Sequence, residues 1–152
     1  MAMEYEKTAK NKEGLIDLIK ELAKVFDNLR NDLCEPYGLS PVQSVIIFTI
    51  YYHPNENKVT DICKRLRKST NTVSPLINRL VQRGFLVKVQ DKMDARITNI
   101  ELTEKTHEIL RNISIDVEDY TAPMFDFLTD SDFDQIYKNL EKLLEATKKW
   151  NI

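Results

Sequence analysis

The residues best suited to chemistry lie between Ser69 and Arg96. In the run Thr70-Asn71-Thr72-Val73-Ser74-Pro75-Leu76-Ile77-Asn78-Arg79-Leu80, Val73, Leu76, Ile77 and Leu80 fall at i, i+3, i+4 and i+7. That spacing builds one apolar helix face. Opposite it stand Thr70, Asn71, Thr72, Ser74, Pro75, Asn78 and Arg79. No Asp or Glu occurs from Thr70 to Gln90, whereas a solvated helix face normally mixes both signs. Amide, hydroxyl and guanidinium groups on the free side of an anchored helix match the base edges and phosphates of duplex DNA. Asn71, Asn78 and Arg79 are expected at base edges, and Thr70, Thr72 and Ser74 at phosphates. Ser69 at the helix start and Lys92, Asp94 and Arg96 downstream complete the expected DNA-contacting set. Read blandly, Arg79 is a surface arginine and Asp94–Arg96 a hairpin ion pair, worth little when exposed.

Charge supports the DNA reading once it is divided. The chain of 152 residues carries a net −2, yet Lys58 to Arg96 holds ten Lys/Arg against three Asp, a net +7. A basic module in an acidic body is the electrostatic footprint of a phosphate-binding surface.

The elements that must hold these groups follow from periodicity. Leu15, Leu18, Ile19, Leu22, Val25, Phe26, Leu29 and Leu33 predict a helix from Glu13 to Leu33, stopped by Pro36 and Gly38. Ser40-Pro41-Val42-Gln43 reads as N-cap, N1 proline and capping box for a buried helix ending near His53-Pro54. A short helix capped by Thr60 runs to Leu66. After a break at Arg67-Lys68, a longer helix runs from Ser69 or Thr70 to Arg83, closed by Gly84. Phe85–Gln90 and Arg96–Leu102 read as two strands around a polar tip, Asp91–Ala95. Thr103 caps a helix ending before Pro123. Thr129 with Asp132 opens the last one, with Phe133, Ile136, Tyr137, Leu140, Leu143, Leu144 and Thr147 inward.

The expected fold class is therefore mainly α with a small β-wing: a winged helix–turn–helix with N- and C-terminal dimerisation helices. We expect one domain over 1–152, with a DNA-binding lobe at 58–102 and a helical dimerisation region at 12–36 and 103–152. From Leu39 to Thr103 the sequence resembles the multiple antibiotic resistance regulator (MarR) family. Leu39-Ser40-Pro41-Val42-Gln43 resembles its second-helix opening, and Ser74-Pro75-Leu76-Ile77-Asn78-Arg79-Leu80 its recognition helix. Asp94-x-Arg96 followed by Leu102-Thr103 matches its wing signature. The resemblance implies a homodimer, with Arg96 entering a minor groove and Asp94 orienting it. Ala95 stands where a charge is common, and Thr106 where glycine is frequent; the latter reads as a neutral helix position.

Other chemistries find little support. There is no phosphate loop, no Gly-x-Ser-x-Gly, no His-Glu-x-x-His and no catalytic carboxylate pair, so no enzymatic activity and no cofactor are expected. His53 and His107 are too far apart in sequence to suggest a metal site. Asp126, Asp130, Asp132 and Asp134 read as a helix N-terminus, since the glycine and later glutamate of a calcium loop are missing. Cys63 reads as core and Cys34 as structural rather than redox-sensing. Phe26, Tyr51 and Tyr52 read as core or as the lining of an effector pocket; Phe125, Phe127 and Trp150 read as packing. No apolar run long enough to cross a membrane and no secretory leader is found, so the cytoplasm is expected. The expected partners are double-stranded DNA, a second copy of the chain and a small-molecule effector, in a ligand-responsive repressor acting on an inverted repeat. The alternative is a winged-helix module that binds another protein instead of DNA.

Overall fold

The computed structural model describes the backbone of residues 2–149 and the side chains of 11–149; Trp150 lies outside them. The elements are α1 (Ala2–Cys34), a 3-10 turn (Glu35–Tyr37), α2 (Pro41–Tyr52), α3 (Val59–Leu66), α4 (Thr70–Gln82), β1 (Leu86–Gln90), β2 (Thr98–Leu102), α5 (Glu104–Phe125) and α6 (Asp130–Lys149). They divide into two compact units, Met1–Ile113 and Ser114–Ile152.

The helix α1 starts eleven residues before the expected Glu13. Its early segment is rich in Glu, Lys and Ala and holds no glycine or proline. Such residues favour helix without leaving an apolar period to read. The α2 opening is as its sequence demands: Gln43 N–H donates to Ser40 Oγ at 3.4 Å, and Ser40 N–H to Gln43 Oε1 at 3.1 Å. Behind this box, Ile46, Ile47 and Ile50 are buried and form the centre of the first unit.

Two expected helix ends and the strand starts are corrected. The N-cap of α3 is Lys58, not Thr60: Asp61 accepts the Lys58 N–H at 3.2 Å, so a carboxylate one turn in replaces the hydroxyl cap. The α5 helix does not end before Pro123 but carries it inside and stops at Phe125. A proline this close to a C-terminus forfeits one backbone bond without breaking the element. The strands are shorter than expected because Phe85 and Ile97 spend their N–H groups locally, on Leu80 C=O at 2.9 Å and Asp94 C=O at 2.9 Å. By contrast, Thr129 and Asp132 cap α6 as expected, with N–H bonds of 3.0 and 3.2 Å running both ways.

Between α3 and α4 the chain turns on Arg67, a non-glycine residue at φ 50° and ψ 44°. Lys68 N–H closes the turn on Cys63 C=O at 3.1 Å. Val73, Ile77 and Leu80 anchor α4 with 0–1% exposure, while Leu76 is only half-buried. Gly84, at φ 75°, then reverses the chain into the hairpin. The two strands pair antiparallel, Leu86 with Leu102, Lys88 with Ile100 and Gln90 with Thr98. Ile100 N–H also donates to Asn57 C=O at 2.8 Å, tying the hairpin to the segment before α3.

Thr106 is not a neutral position. It is buried, and its Oγ1 donates to Phe85 C=O at 2.6 Å. Its neighbour Thr103 donates to Gly84 C=O at 2.7 Å. The pair clamps the first turn of α5 onto the joint between α4 and β1. Replacing Thr106 with the isosteric valine is expected to cost about 1 kcal/mol, the net worth of one hydrogen bond. A lower urea midpoint at unchanged m-value would show it.

On α6 the expected inward stripe is exposed within the chain. Phe133, Ile136, Tyr137, Leu140, Leu143 and Leu144 lie between 42% and 63% exposed. The α1 side chains Leu15, Ile16, Leu18, Leu22, Val25 and Phe26 lie between 42% and 63% as well. Periodicity marks an apolar face but does not say what covers it.

Candidate nucleic-acid interface

The anchored apolar side of α4 dictates what the other side presents. Ser69, at the N-cap, accepts the Val73 N–H through its carbonyl at 3.1 Å, and its hydroxyl lies 3.0 Å from Thr72 Oγ1. Ser69, Thr70, Asn71, Thr72, Pro75, Asn78 and Arg79 are exposed, whereas Ser74 is half-buried. No acidic side chain pairs with Arg79 among the described residues. Pro75, within the second turn, removes the backbone bond that Asn71 C=O would accept from residue 75. Cys63 lies beneath, 3.9 Å from Thr70 Oγ1, as a core residue.

The hairpin tip is organised by a residue the sequence reading missed. Asp91 accepts the N–H groups of Met93 at 2.8 Å and Asp94 at 3.1 Å, and the Asn99 amide at 3.3 Å. The backbone bonds from Met93 and Asp94, with the Asn99 amide, hold its carboxyl below the ordinary range. The signal available was an Asp two residues before a turn, the Asx pattern. Because the folded-state pKa is lowered, this contribution is present above the unfolded value of about 3.9 and fades as pH falls through the lower folded one. Protection factors at Met93 and Asp94, taken against intrinsic exchange, are therefore expected to be higher at pH 5 than below the lowered Asp91 pKa, and to be low at both in Asp91→Ala.

Asp94 accepts the Arg96 N–H at 3.0 Å, while the Arg96 Nε is 4.0 Å from the same oxygen. Asp94 thus fixes the Arg96 backbone and holds its guanidinium only by a long 4.0 Å ion pair, with 93% of that side chain exposed. Lys92 is exposed beside it. The expected residues therefore form two sets, Ser69 to Arg79 on α4 and Lys92, Asp94 and Arg96 on the tip, joined through β1. A second missed residue, Lys88, donates to Asn78 Oδ1 at 2.8 Å. It stands on the strand face of Leu86, turned toward α4, a placement that the alternation of Val87 and Val89 disguises.

The α4–β1 joint is braced from behind. Arg83 reaches Gln43 Oε1 and Tyr37 C=O, each at 3.4 Å, and lies 4.9 Å from the Phe85 ring centre. Lys105 covers the ring at 4.5 Å. Cys34 is buried, and burial pushes its thiol up against the opposing pull of Arg30, the opposite of an activated thiolate.

Residues 39–106 match the family model of the winged helix DNA-binding domain. This segment is a winged helix DNA-binding domain. The chain that holds it is 25% identical over 130 residues to the uncharacterized HTH-type transcriptional regulator YpoP of Bacillus subtilis, covering 85% of this chain and 92% of that protein. It is 23% identical over 123 residues to the transcriptional repressor MprA of Escherichia coli, covering 80% and 69%. Among solved structures, a MarR transcriptional regulator from Methanosarcina mazei matches with a TM-score of 0.71 at 21% identity, over 90% of this chain and 98% of that one. The MepR–DNA complex of Staphylococcus aureus matches at 0.64 and 20%, over 86% and 94%. The winged helix domain thus sits in a chain that shares its fold with the solved MarR regulator from Methanosarcina mazei. No helix among the described residues is long and apolar enough to cross a membrane.

Proposed function

We propose that this protein is a transcriptional regulator that works in the cytoplasm as a homodimer on an inverted-repeat operator and releases it when a small effector binds. The observation that carries the DNA-reading part is the acid-free face of α4, with Asn71, Asn78 and Arg79 exposed and the Arg96 side chain 93% exposed at the wing. Asn71, Asn78 and Arg79 would read base edges in a major groove. Ser69, Thr70, Thr72, Ser74 and Pro75 would lie along the backbone, and Lys92 and Arg96, set by Asp94, would take the adjacent minor groove.

The exposed stripes on α1 and α6 favour a second copy of the chain as the partner that covers them, since monomers rarely keep such faces open. The dimerisation region would be 12–36 and 103–152, flanking the reading lobe at 58–102 as parts of one MarR-like domain. A two-fold axis would then place two α4 helices one DNA turn apart, about 34 Å. For the effector, a cavity of about 380 Å³ lies within the first unit, lined by Ile50, Tyr51, Pro54, Ile100, Leu102 and His107 among others. Its walls suit a small, mainly apolar molecule. No enzymatic reaction and no cofactor enter this reading.

The test is binding of the purified protein to the intergenic DNA upstream of its own gene, against scrambled duplex, over a salt series. Sequence-preferring binding with a steep negative salt slope is expected. A folded protein that held neither duplex at low salt would shift the face of α4 from DNA to a protein partner.

A further inference from the structure

The contact between Lys88 and Asn78 has a chemical consequence for which base the helix accepts. An ammonium group only donates hydrogen bonds, so the amide that meets it must offer oxygen. The 2.8 Å bond from Lys88 Nζ to Asn78 Oδ1 therefore fixes which way the amide points. Its NH2 is left on the free side, beside the remaining N–H groups of Lys88. Both residues are exposed, and no acidic side chain pairs with Lys88 among the described residues. The lysine is held there by its strand: Lys88 pairs with the buried Ile100 and shares a face with the buried Leu86, so its stem is directed along the packed side of the hairpin.

An asparagine that reads adenine needs both ends of its amide, the oxygen for N6–H2 and the nitrogen for N7. Here the oxygen is engaged. A second lone pair remains on it, but an adenine amino group using that lone pair would lie against the Lys88 ammonium; the pair therefore favours an edge of two acceptors, guanine's O6 and N7. Adenine and cytosine would each set an amino group against one of these donors. We propose that Lys88 and Asn78 form one donor-presenting reading unit, in which Lys88 turns Asn78 from an adenine reader into a guanine reader. This rests on the DNA-reading function proposed above.

The experiment is selection from a duplex pool randomised over about two helical turns, roughly 20 bp, with the wild type, Asn78→Ala and Lys88→Met. Lys88→Met keeps the stem and removes only the ammonium. Helicity by circular dichroism and elution on gel filtration verify that all three are folded alike. Asn78→Ala identifies the half-site position that Asn78 reads, as the one whose preference flattens. Guanine is expected there in the wild-type pool, and Lys88→Met is expected to move the preference toward adenine by about tenfold. Three results overturn the proposal: adenine at that position in the wild type, no position that flattens in Asn78→Ala, or a Lys88→Met variant that keeps the guanine preference. The last, with a salt slope shallower by about 1, would make Lys88 a phosphate contact only. A wild-type protein that enriches no sequence at all would instead bring down the DNA-reading function itself.

Discussion

Replacing Arg79 and Arg96 together by alanine is expected to abolish sequence-preferring binding while leaving the fold intact. Arg79 is exposed on α4, and Arg96 has 93% of its side chain in solvent, with only a 4.0 Å ion pair to Asp94 at its guanidinium. Neither truncation opens a cavity or strands a buried partner, so melting should stay within about 0.5 kcal/mol of the wild type. Each lost base or groove contact costs about 1–3 kcal/mol. If the two act independently, the sum is roughly 2–6 kcal/mol per protomer, about 30-fold to 10⁴-fold in affinity. Competition between specific and scrambled duplex, with a melting curve on the same sample, reads both numbers. Unchanged discrimination would move the reading surface elsewhere on the domain.

A comparable loss should follow from charging the apolar stripe of α6. Leu140 and Leu144 are 50% and 59% exposed and one turn apart. Leu140→Asp combined with Leu144→Asp adds two carboxylates to a face that a second copy would bury in the proposed dimer, and a buried unpaired charge is not tolerated. Light scattering is expected to show a monomer of about half the wild-type mass. Operator affinity should fall by roughly 10²–10⁴, the avidity lost when two half-sites are no longer bound at once. A dimer that survived both changes would place the interface off α6.

Much of this architecture is legible in the residues, and the exceptions share a cause. The α4 face was readable because an apolar i, i+3, i+4, i+7 repeat fixes orientation by itself, and Val73, Ile77 and Leu80 are indeed the anchors. The capping boxes at Ser40 and Thr129 were readable because both partners lie within one turn. Thr106, Lys88 and Asp91 were not. Thr106 acts on Phe85, 21 residues away; Lys88 lies 10 residues from Asn78. Asp91 stood in plain view as a polar loop residue, but its three donors come from a turn geometry that composition does not specify. Local hydrogen bonds and apolar periods show in one dimension, whereas the polar contacts that aim a reading surface become visible only in three.

The turn at Arg67 carries an implication for how such a protein can be altered. A left-handed backbone costs an L-residue about 1–2 kcal/mol, and glycine there would remove that strain. Yet Arg67 is also a cation two residues before the cap of α4. At this one position, robustness against heat and attraction toward polyanions are set against each other. A lineage or a designer selecting for thermal endurance would reach for glycine and surrender charge. One selecting for tight occupancy of its target would keep the arginine and accept the strained turn.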